Sequence, residues 1–165
     1  MPSSPRASLT LIDGRSGAGK SVFAANLARQ QDAVLVSIDD VYPGWDGLDA
    51  GSWHIHQHLV MPFVTGRAGR VRPWLWEQGE RGAWVEISPE RPLIVEGCGA
   101  IRRESPREST TRIWIETDGE IRQTRALERD GAMYAPHWTR WALQEERFLE
   151  HHRSMDIATH VTTVG

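Results

Sequence analysis

One short segment near the amino terminus constrains the fold more than any other feature of the sequence. Residues 14–21 read Gly-Arg-Ser-Gly-Ala-Gly-Lys-Ser, which matches the pattern G-x-x-x-x-G-K-[ST] without deviation. An apolar run at residues 8–12 predicts a buried strand before this segment, and residues 21–30 predict a helix after it. A strand, a glycine-rich turn and a helix in this order are the context in which the pattern forms a phosphate-binding loop, or P-loop.

The residue types in this loop explain how it would hold a nucleotide. Glycines let the backbone N–H groups face inward around phosphates, and the helix amino terminus adds the positive end of its dipole. We expect Lys20 to reach the β- and γ-phosphates and the Ser21 hydroxyl to ligate Mg²⁺. The residues assigned to nucleotide binding are Gly14, Arg15, Ser16, Gly17, Ala18, Gly19, Lys20 and Ser21. The expected cofactors are ATP and Mg²⁺, although the preference for ATP over GTP stays open, and an ordinary glycine-rich turn is the alternative.

The other apolar runs extend this unit into an α/β domain. Further strands are predicted at residues 33–38, 92–97, 112–116 and 160–164, with a short extra strand at 83–87. Helices are predicted at residues 49–64, 120–129 and 137–152, and an ordered loop at 66–82. Because strands and helices alternate, we predict one domain over residues 1–165 with a three-layer α/β/α P-loop NTPase fold. Its central sheet is expected to be mostly parallel and to carry a small helical lid.

Composition and charge narrow the partners and the compartment. The net charge of -3 gives no sign of a basic surface that would bind nucleic acid. The sequence contains no apolar run of 18 residues, so no membrane span is predicted. The single cysteine, Cys98, excludes an internal disulfide framework. The first six residues read as a frayed end and not as a secretion signal, so the expected compartment is the cytoplasm. The oligomeric state, including a homodimer, is left open.

Acidic residues follow two of the predicted strands. Asp39 and Asp40 follow the second strand, and Glu96 follows the third. Ligands of open α/β sheets lie beyond the carboxyl ends of the strands, so these acids are expected at the site. Asp39 is the candidate base that accepts a proton from an attacking hydroxyl, and it can also help to hold the metal. Glu96 occupies the position of a Walker-B acid facing Mg²⁺, while one of the two aspartates could simply cap the next turn.

Three arginines late in the chain share one helical face. Arg122, Arg125 and Arg129 are three and four residues apart and precede Asp130-Gly131. We predict a mobile lid at about residues 119–136 whose arginines close over ATP, with Arg125 and Arg129 as the catalytic candidates because they lie nearest the glycine. A solvated face paired with neighbouring acids is the alternative.

These segments resemble the uridine kinase-like branch of the P-loop nucleoside and small-molecule kinases. The resemblance rests on residues 12–21, 37–42, 93–97 and 122–130. In uridine kinases an Asp-x-Phe-Tyr segment supplies the catalytic base; Asp39 and Tyr42 match it, with Val41 in place of Phe. The resemblance implies the fold, the ATP site and phosphoryl transfer to a hydroxyl, making the chain a phosphotransferase. The nucleoside-binding hairpin of that family has no clear counterpart in this sequence, so uridine itself is not implied.

The acceptor is the part of the reaction that the sequence leaves least defined. The candidates for contacting a small-molecule hydroxyl acceptor are Asp40, Tyr42, Trp45 and Trp76. Aromatic planes and acids suit a nucleoside or a sugar-like compound, but the same tryptophans could instead pack the loops. Trp84 and Trp114, in predicted strands, are assigned to the core.

Three alternatives accompany the kinase hypothesis. One is an NTPase or nucleotide-binding switch that acts on a protein partner; the guanine-reading Asn-Lys-x-Asp expected of a switch is missing from the sequence. Another is a nucleotide-binding protein without catalysis. The third is a zinc site at His54 and His58. We prefer to assign these histidines to a solvated polar face, because no HExxH pattern or nearby cysteine accompanies them.

Overall fold

The computed structural model describes residues 5–164, and its centre is a five-stranded sheet. Every neighbouring pair in this sheet is parallel. The strands are β1 (Leu9–Asp13), β2 (Val34–Ser37), β7 (Leu93–Glu96), β8 (Thr110–Glu116) and β9 (His160–Thr163). They lie in the order β2-β7-β1-β8-β9. Strands β1 and β7 are buried at every residue, as continuous apolar strands covered on both faces should be. The predicted parallel sheet is therefore confirmed.

Helices cover both faces of the sheet. The helices are α1 (Lys20–Gln31), α2 (Leu48–Ile55), α3 (Met61–Val64), α4 (Gly119–Asp130), α5 (Trp138–His152) and α6 (Ser154–Ile157). Successive residues of β1 point to opposite faces, so Leu11 joins the apolar core under α2, α3 and α5. Ile12 joins a second core under α1, which contains Ala24. The two cores give the three-layer α/β/α arrangement that the sequence predicts.

The segment predicted as an ordered loop at residues 66–82 forms regular structure instead. Antiparallel strands β3 (Gly69–Val71) and β6 (Val85–Ile87) pair with each other. Between them, β4 (Trp74–Leu75) pairs with β5 (Glu80–Arg81), which makes one interrupted hairpin. Strands β3, β4 and β5 are only two or three residues long, so their sequence carries little periodicity to reveal them, whereas β6 lies within the short extra strand predicted at residues 83–87. The prediction of a loop over residues 66–82 was therefore wrong.

The helix predicted over residues 49–64 is present as a continuous run from α2 through α3, with an irregular middle. A π-helical segment, His56–Val60, joins the two helices. Pro62 lies two residues after this segment, in α3, where it lacks an N–H and its ring would crowd the carbonyl four residues earlier. The wider π turn is the type of distortion that accommodates such a proline inside a helix.

Trp84 was assigned to the core, and that assignment is wrong. Trp84 is 40% exposed, and the guanidinium of Arg70 lies 4.2 Å from its ring centroid. The ring of His54 stacks on the same tryptophan, and its Nε2 accepts a hydrogen bond from the backbone N–H of Arg72. His54 is thus partly buried in a packed cluster and not on a solvated polar face. Trp114, by contrast, is buried as predicted.

The amino-terminal segment is only partly described, and the described helices lack the combination of length and apolarity that a membrane span needs. Residues 1–4, most of the segment predicted to be frayed, lie outside the described part of the chain, while Arg6 donates a hydrogen bond to the carbonyl of Val64. No helix within residues 5–164 is long and apolar enough to cross a membrane.

A buried histidine predicts how stability depends on pH. His152 is 4% exposed, and its Nδ1 accepts a hydrogen bond from the backbone N–H of Arg103, so protonation there would break a contact. Burial, together with the nearby charge of Arg102, lowers the pKa of His152 to about 4. The unfolded chain, with an ordinary pKa near 6.5, therefore takes up protons first, and stability falls as the pH drops from about 6.5 towards 4. We expect a loss on the order of 1 kcal/mol between pH 7 and pH 5, seen as a melting temperature lower by a few degrees.

This expectation is tested with His152→Gln, compared with His160→Gln at an exposed position. The melting temperature of the first variant should depend less on pH between 7 and 5, and that of the control should follow the unaltered protein. An unchanged pH slope in His152→Gln would show that other groups cause the loss.

Candidate functional site

A cavity of about 650 Å³ opens at the carboxyl edge of the sheet. The P-loop follows β1, a 3₁₀ turn follows β2, and Glu96 ends β7, so three strand ends meet there. The volume of the cavity falls within the range typical of small-molecule sites, about 300–1,000 Å³. The residues that line it are Ser16, Gly17, Gly19, Lys20, Ser21, Val22, Asp39, Asp40, Tyr42, Trp45, Trp76, Glu96, Cys98, Arg125, Arg129, Asp130, Met133, Tyr134 and Trp141. Most of the residues singled out from the sequence therefore share one cavity.

The P-loop holds its lysine against its own backbone. Lys20 is 8% exposed, and its Nζ donates to the carbonyl of Arg15 at 2.9 Å. Burial alone would lower the pKa of this ammonium, but the nearby acids, Asp39, Glu145 and Glu96 among them, outweigh burial and raise it. Lys20 is thus a fixed positive charge at the bottom of the cavity. Gly14, Arg15 and Ala18 belong to the loop without lining the cavity.

Gly17 shows why the loop needs glycine at that position. Its φ is +79°, and a Cβ there would lie 2.0 Å from the carbonyl oxygen of Arg122 in the first turn of α4. Any larger residue would both strain the backbone and push α4 away. Helix α4, which the sequence predicts to be a lid, therefore begins directly against the phosphate loop.

Ser21 and Glu96 form the pair that could hold a metal. The Ser21 hydroxyl donates to Glu96 Oε1 at 3.3 Å, across the end of β7. Burial and the charge of Asp39 raise the pKa of Glu96, while Ser37, Lys20 and Ser21 act against that rise. No group of three His, Cys, Asp or Glu side chains placed to bind a metal was found among residues 5–164. Mg²⁺ that keeps its waters and is shared with substrate phosphates needs only one or two protein oxygens, so this pair fits it.

The two aspartates lie in the 3₁₀ turn Ile38–Asp40 that continues β2. The turn replaces the last residue of the predicted strand and carries Asp39 and Asp40 to the cavity wall. Within the described residues, neither carboxylate accepts a hydrogen bond from a protein group. Partial burial and the neighbouring Asp39 raise the pKa of Asp40. Asp39 is therefore an unengaged acceptor beside the phosphate loop, as a general base requires.

The predicted lid arginines divide into two groups. Arg125 and Arg129 line the cavity, whereas the Nε of Arg122 donates to the carbonyl of Thr117 outside it. Arg129 pairs with Asp130 at 2.9 Å in the last turn of α4. After α4, the 3₁₀ turns Gly131–Met133 and Ala135–His137 carry Tyr134 to the P-loop, where its hydroxyl donates to Ser16 Oγ at 2.9 Å.

Aromatic side chains form part of the cavity wall. Trp45 lies 5.2 Å from Trp76 at the hairpin tip and stacks on His137 at 4.5 Å. Tyr42 is buried, and its hydroxyl donates to the carbonyl of Cys98 at 2.6 Å, so only the ring faces the cavity. Burial raises the pKa of the Cys98 thiol well above its ordinary value, which keeps it protonated. Asp40, Tyr42, Trp45 and Trp76, the predicted acceptor contacts, all line this wall.

Sequence reasoning missed several residues of the site. Asp13 accepts hydrogen bonds from the backbone N–H groups of Gly14, Gly99 and Ile101, and so ties the P-loop to the segment after β7. Burial raises the pKa of Asp13 to about 7 against the effect of these donors. Its position directly before the loop motif was a usable signal. Glu145, in the middle of α5, had no local signal.

Solved structures share this fold. A possible uridine kinase from Bacillus stearothermophilus aligns with a TM-score of 0.61 and 19% identity, over 96% of this chain and 89% of that one. A sugar kinase from Janibacter sp. HTCC2649 aligns with a TM-score of 0.52 and 14% identity, over 95% and 85%. An uncharacterized protein from Eubacterium ventriosum ATCC 27560 aligns with a TM-score of 0.53 and 14% identity, over 96% of this chain and 88% of that one.

The chain shares the α/β fold of these proteins. No protein-family model matches the sequence, and no curated protein matches it as a relative. At this level of identity the structural likeness concerns the fold alone, and the chemistry has to be argued from the cavity.

The lid arginines lead to a testable expectation. Replacing Arg125 and Arg129 together with alanine should lower turnover of Mg-ATP by about 10²-fold, because cations that neutralise the transferring phosphoryl group act mainly in the transition state. Nucleotide affinity should fall much less, as titration calorimetry would show. Arg147→Ala, on the exposed face of α5, is the control. An unchanged rate in the double variant would mean that Arg125 and Arg129 do not act in turnover and that α4 has only a structural role.

Proposed function

We propose that this protein transfers the γ-phosphoryl group of Mg-ATP to a hydroxyl group of a small molecule. The observation that carries the proposal is the convergence on one cavity of a phosphate loop, an unengaged carboxylate and an aromatic wall. A nucleotide-binding switch would have no need of the last two.

Each side chain then has a defined part. The P-loop and Lys20 would hold the β- and γ-phosphates, and Ser21 and Glu96 would hold Mg²⁺, which would neutralise charge on those phosphates. Asp39 orients the acceptor hydroxyl and takes its proton as the oxygen bonds to the γ-phosphorus. The bond from that phosphorus to the β-phosphate oxygen breaks, and ADP leaves.

The charges of the cavity favour an acceptor that carries no anionic group. Among the described residues that line it, the cations are Lys20, Arg125 and Arg129, which all belong to the phosphate loop or the lid helix. Among residues 5–164, no arginine or lysine belongs to the acceptor wall, which offers Asp40 beside aromatic rings. A phosphate or carboxylate on the acceptor would meet no cation there and would be repelled by Asp40. An aromatic wall instead suits a flat or sugar-like body.

The test is ADP release from Mg-ATP in the presence of matched hydroxyl compounds. The panel contains nucleosides and sugars, their phosphorylated forms, amino sugars and hydroxy acids, with Lys20→Ala as the blank. We expect stimulation by an uncharged or cationic compound and none by its phosphorylated form.

The outcomes separate the alternatives. Stimulation by anionic compounds alone would support the proposed kinase activity but contradict the proposal that the acceptor carries no anionic group. Slow ATP turnover that no compound accelerates, and that survives Asp39→Asn, would favour an NTPase acting on a protein partner.

A further inference from the structure

Glu145 is a buried carboxylate that the proposed phosphoryl transfer does not use. It lies in the middle of α5 and is 4% exposed. Its Oε2 accepts two hydrogen bonds from the P-loop, one from Arg15 Nε at 3.2 Å and one from the backbone N–H of Ser16 at 3.2 Å. Burial raises the pKa of Glu145, while Lys20 and Arg15 act against that rise. Burying an ionisable group is costly, so both contacts are needed to keep it there.

One peptide unit links Glu145 to the catalytic lysine. The N–H that Glu145 accepts and the carbonyl that Lys20 contacts belong to the same peptide, the one between Arg15 and Ser16. In a planar trans peptide the N–H and the C=O point in opposite directions. Holding the N–H towards α5 therefore turns the carbonyl towards Lys20. If the peptide rotated, both contacts would be lost together.

Ser16 is also held from the lid side. The hydroxyl of Tyr134 donates to Ser16 Oγ at 2.9 Å, and both groups are buried. The loop residue that Glu145 contacts is thus fixed at its backbone by α5 and at its side chain by the turn after α4. Neither contact is made by an element of the phosphate loop itself.

We propose that Glu145 is a positioning residue that fixes the peptide between Arg15 and Ser16 and, through the carbonyl of that peptide, the ammonium group of Lys20. The inference rests on the proposed function only in that the loop binds a triphosphate. Glu145 acts by accepting a hydrogen bond, and its negative charge by itself would oppose the binding of an anionic nucleotide.

The charge and the hydrogen bond can be separated by substitution. In Glu145→Gln the charge is gone, but the amide oxygen can still accept the hydrogen bond from the backbone N–H of Ser16. Glu145→Ala removes both the charge and the hydrogen bond. We expect the affinity for Mg-ATP, measured by calorimetry, to stay within about threefold in the first variant and to fall at least tenfold in the second. Glu146→Gln is the control, since that side chain is exposed and lies 3.8 Å from Arg15. Equal affinities in Glu145→Gln and Glu145→Ala would overturn the proposal.

A second readout needs neither nucleotide nor turnover. Lys20 is the only lysine in the sequence, so protein labelled with ¹³C at lysine Cε gives a single side-chain signal by NMR. We expect that signal to shift in Glu145→Ala and to stay in place in Glu146→Gln. Should the alanine variant not fold, Glu145→Asp, which keeps the charge on a shorter side chain, takes its place. An unmoved Lys20 signal in a folded variant would contradict the proposal, even if the kinase activity is confirmed.

Discussion

Replacing Lys20 with alanine is expected to reduce turnover of Mg-ATP by at least about 10²-fold, the usual cost of losing one preorganised cation or donor at a charge-developing centre. The ammonium already lies inside the cavity, 2.9 Å from the carbonyl of Arg15, so little rearrangement is needed to reach a phosphate. The surrounding acids, including Asp39 and Glu96, keep it protonated because they raise its pKa. The effect should therefore appear at every pH at which the protein is folded.

The measurement is ADP production under saturating Mg-ATP, together with the affinity of the same variant for Mg-ATP. Arg29→Ala is the matched control, because Arg29 lies in the same helix, α1, and is exposed. Melting curves of both variants show whether the loss of activity is a loss of folding. Unaltered turnover in folded Lys20→Ala would contradict the assignment of the phosphate loop.

Replacing Asp39 with asparagine is expected to lower phosphorylation of the acceptor by roughly 10²- to 10⁴-fold, the contribution typical of a positioned general base. Asparagine has nearly the same shape and can still accept a hydrogen bond, but it cannot take the proton from the attacking hydroxyl. The affinity for Mg-ATP should change little, because Lys20, Ser21 and the loop backbone supply the phosphate contacts.

Asp40→Asn separates the two neighbouring aspartates. Asp40 lies in the same 3₁₀ turn and also lines the cavity, so it reports the effect of removing one negative charge at this wall. We expect the rate at saturating acceptor to fall far less in Asp40→Asn than in Asp39→Asn, with the larger effect on the acceptor KM. Equal losses of maximal rate in the two variants would mean that the pair acts together and that Asp39 is not the sole base.

The sequence alone determined the central part of this protein. The pattern at residues 14–21, the buried strands around it and the acids at two strand ends are local signals, because each depends on residues close together in the chain. The structure confirms the parallel α/β sheet and places Lys20, Ser21, Asp39 and Glu96 around one cavity. Parallel strands have to bring their carboxyl ends to one edge, so placing these residues required no long-range information.

Tertiary structure decided the acceptor wall and the support of the loop. In the hairpin between residues 69 and 87, the sequence predicted only the strand that contains β6, because β3, β4 and β5 are too short to show periodicity. The place of the hairpin at the cavity depends on the contact of Trp76 with Trp45. Glu145 looks like any acid of a surface helix until α5 packs on the loop and buries it against Ser16. Such contacts join residues that are far apart in the chain, and only the packing of whole elements brings them together.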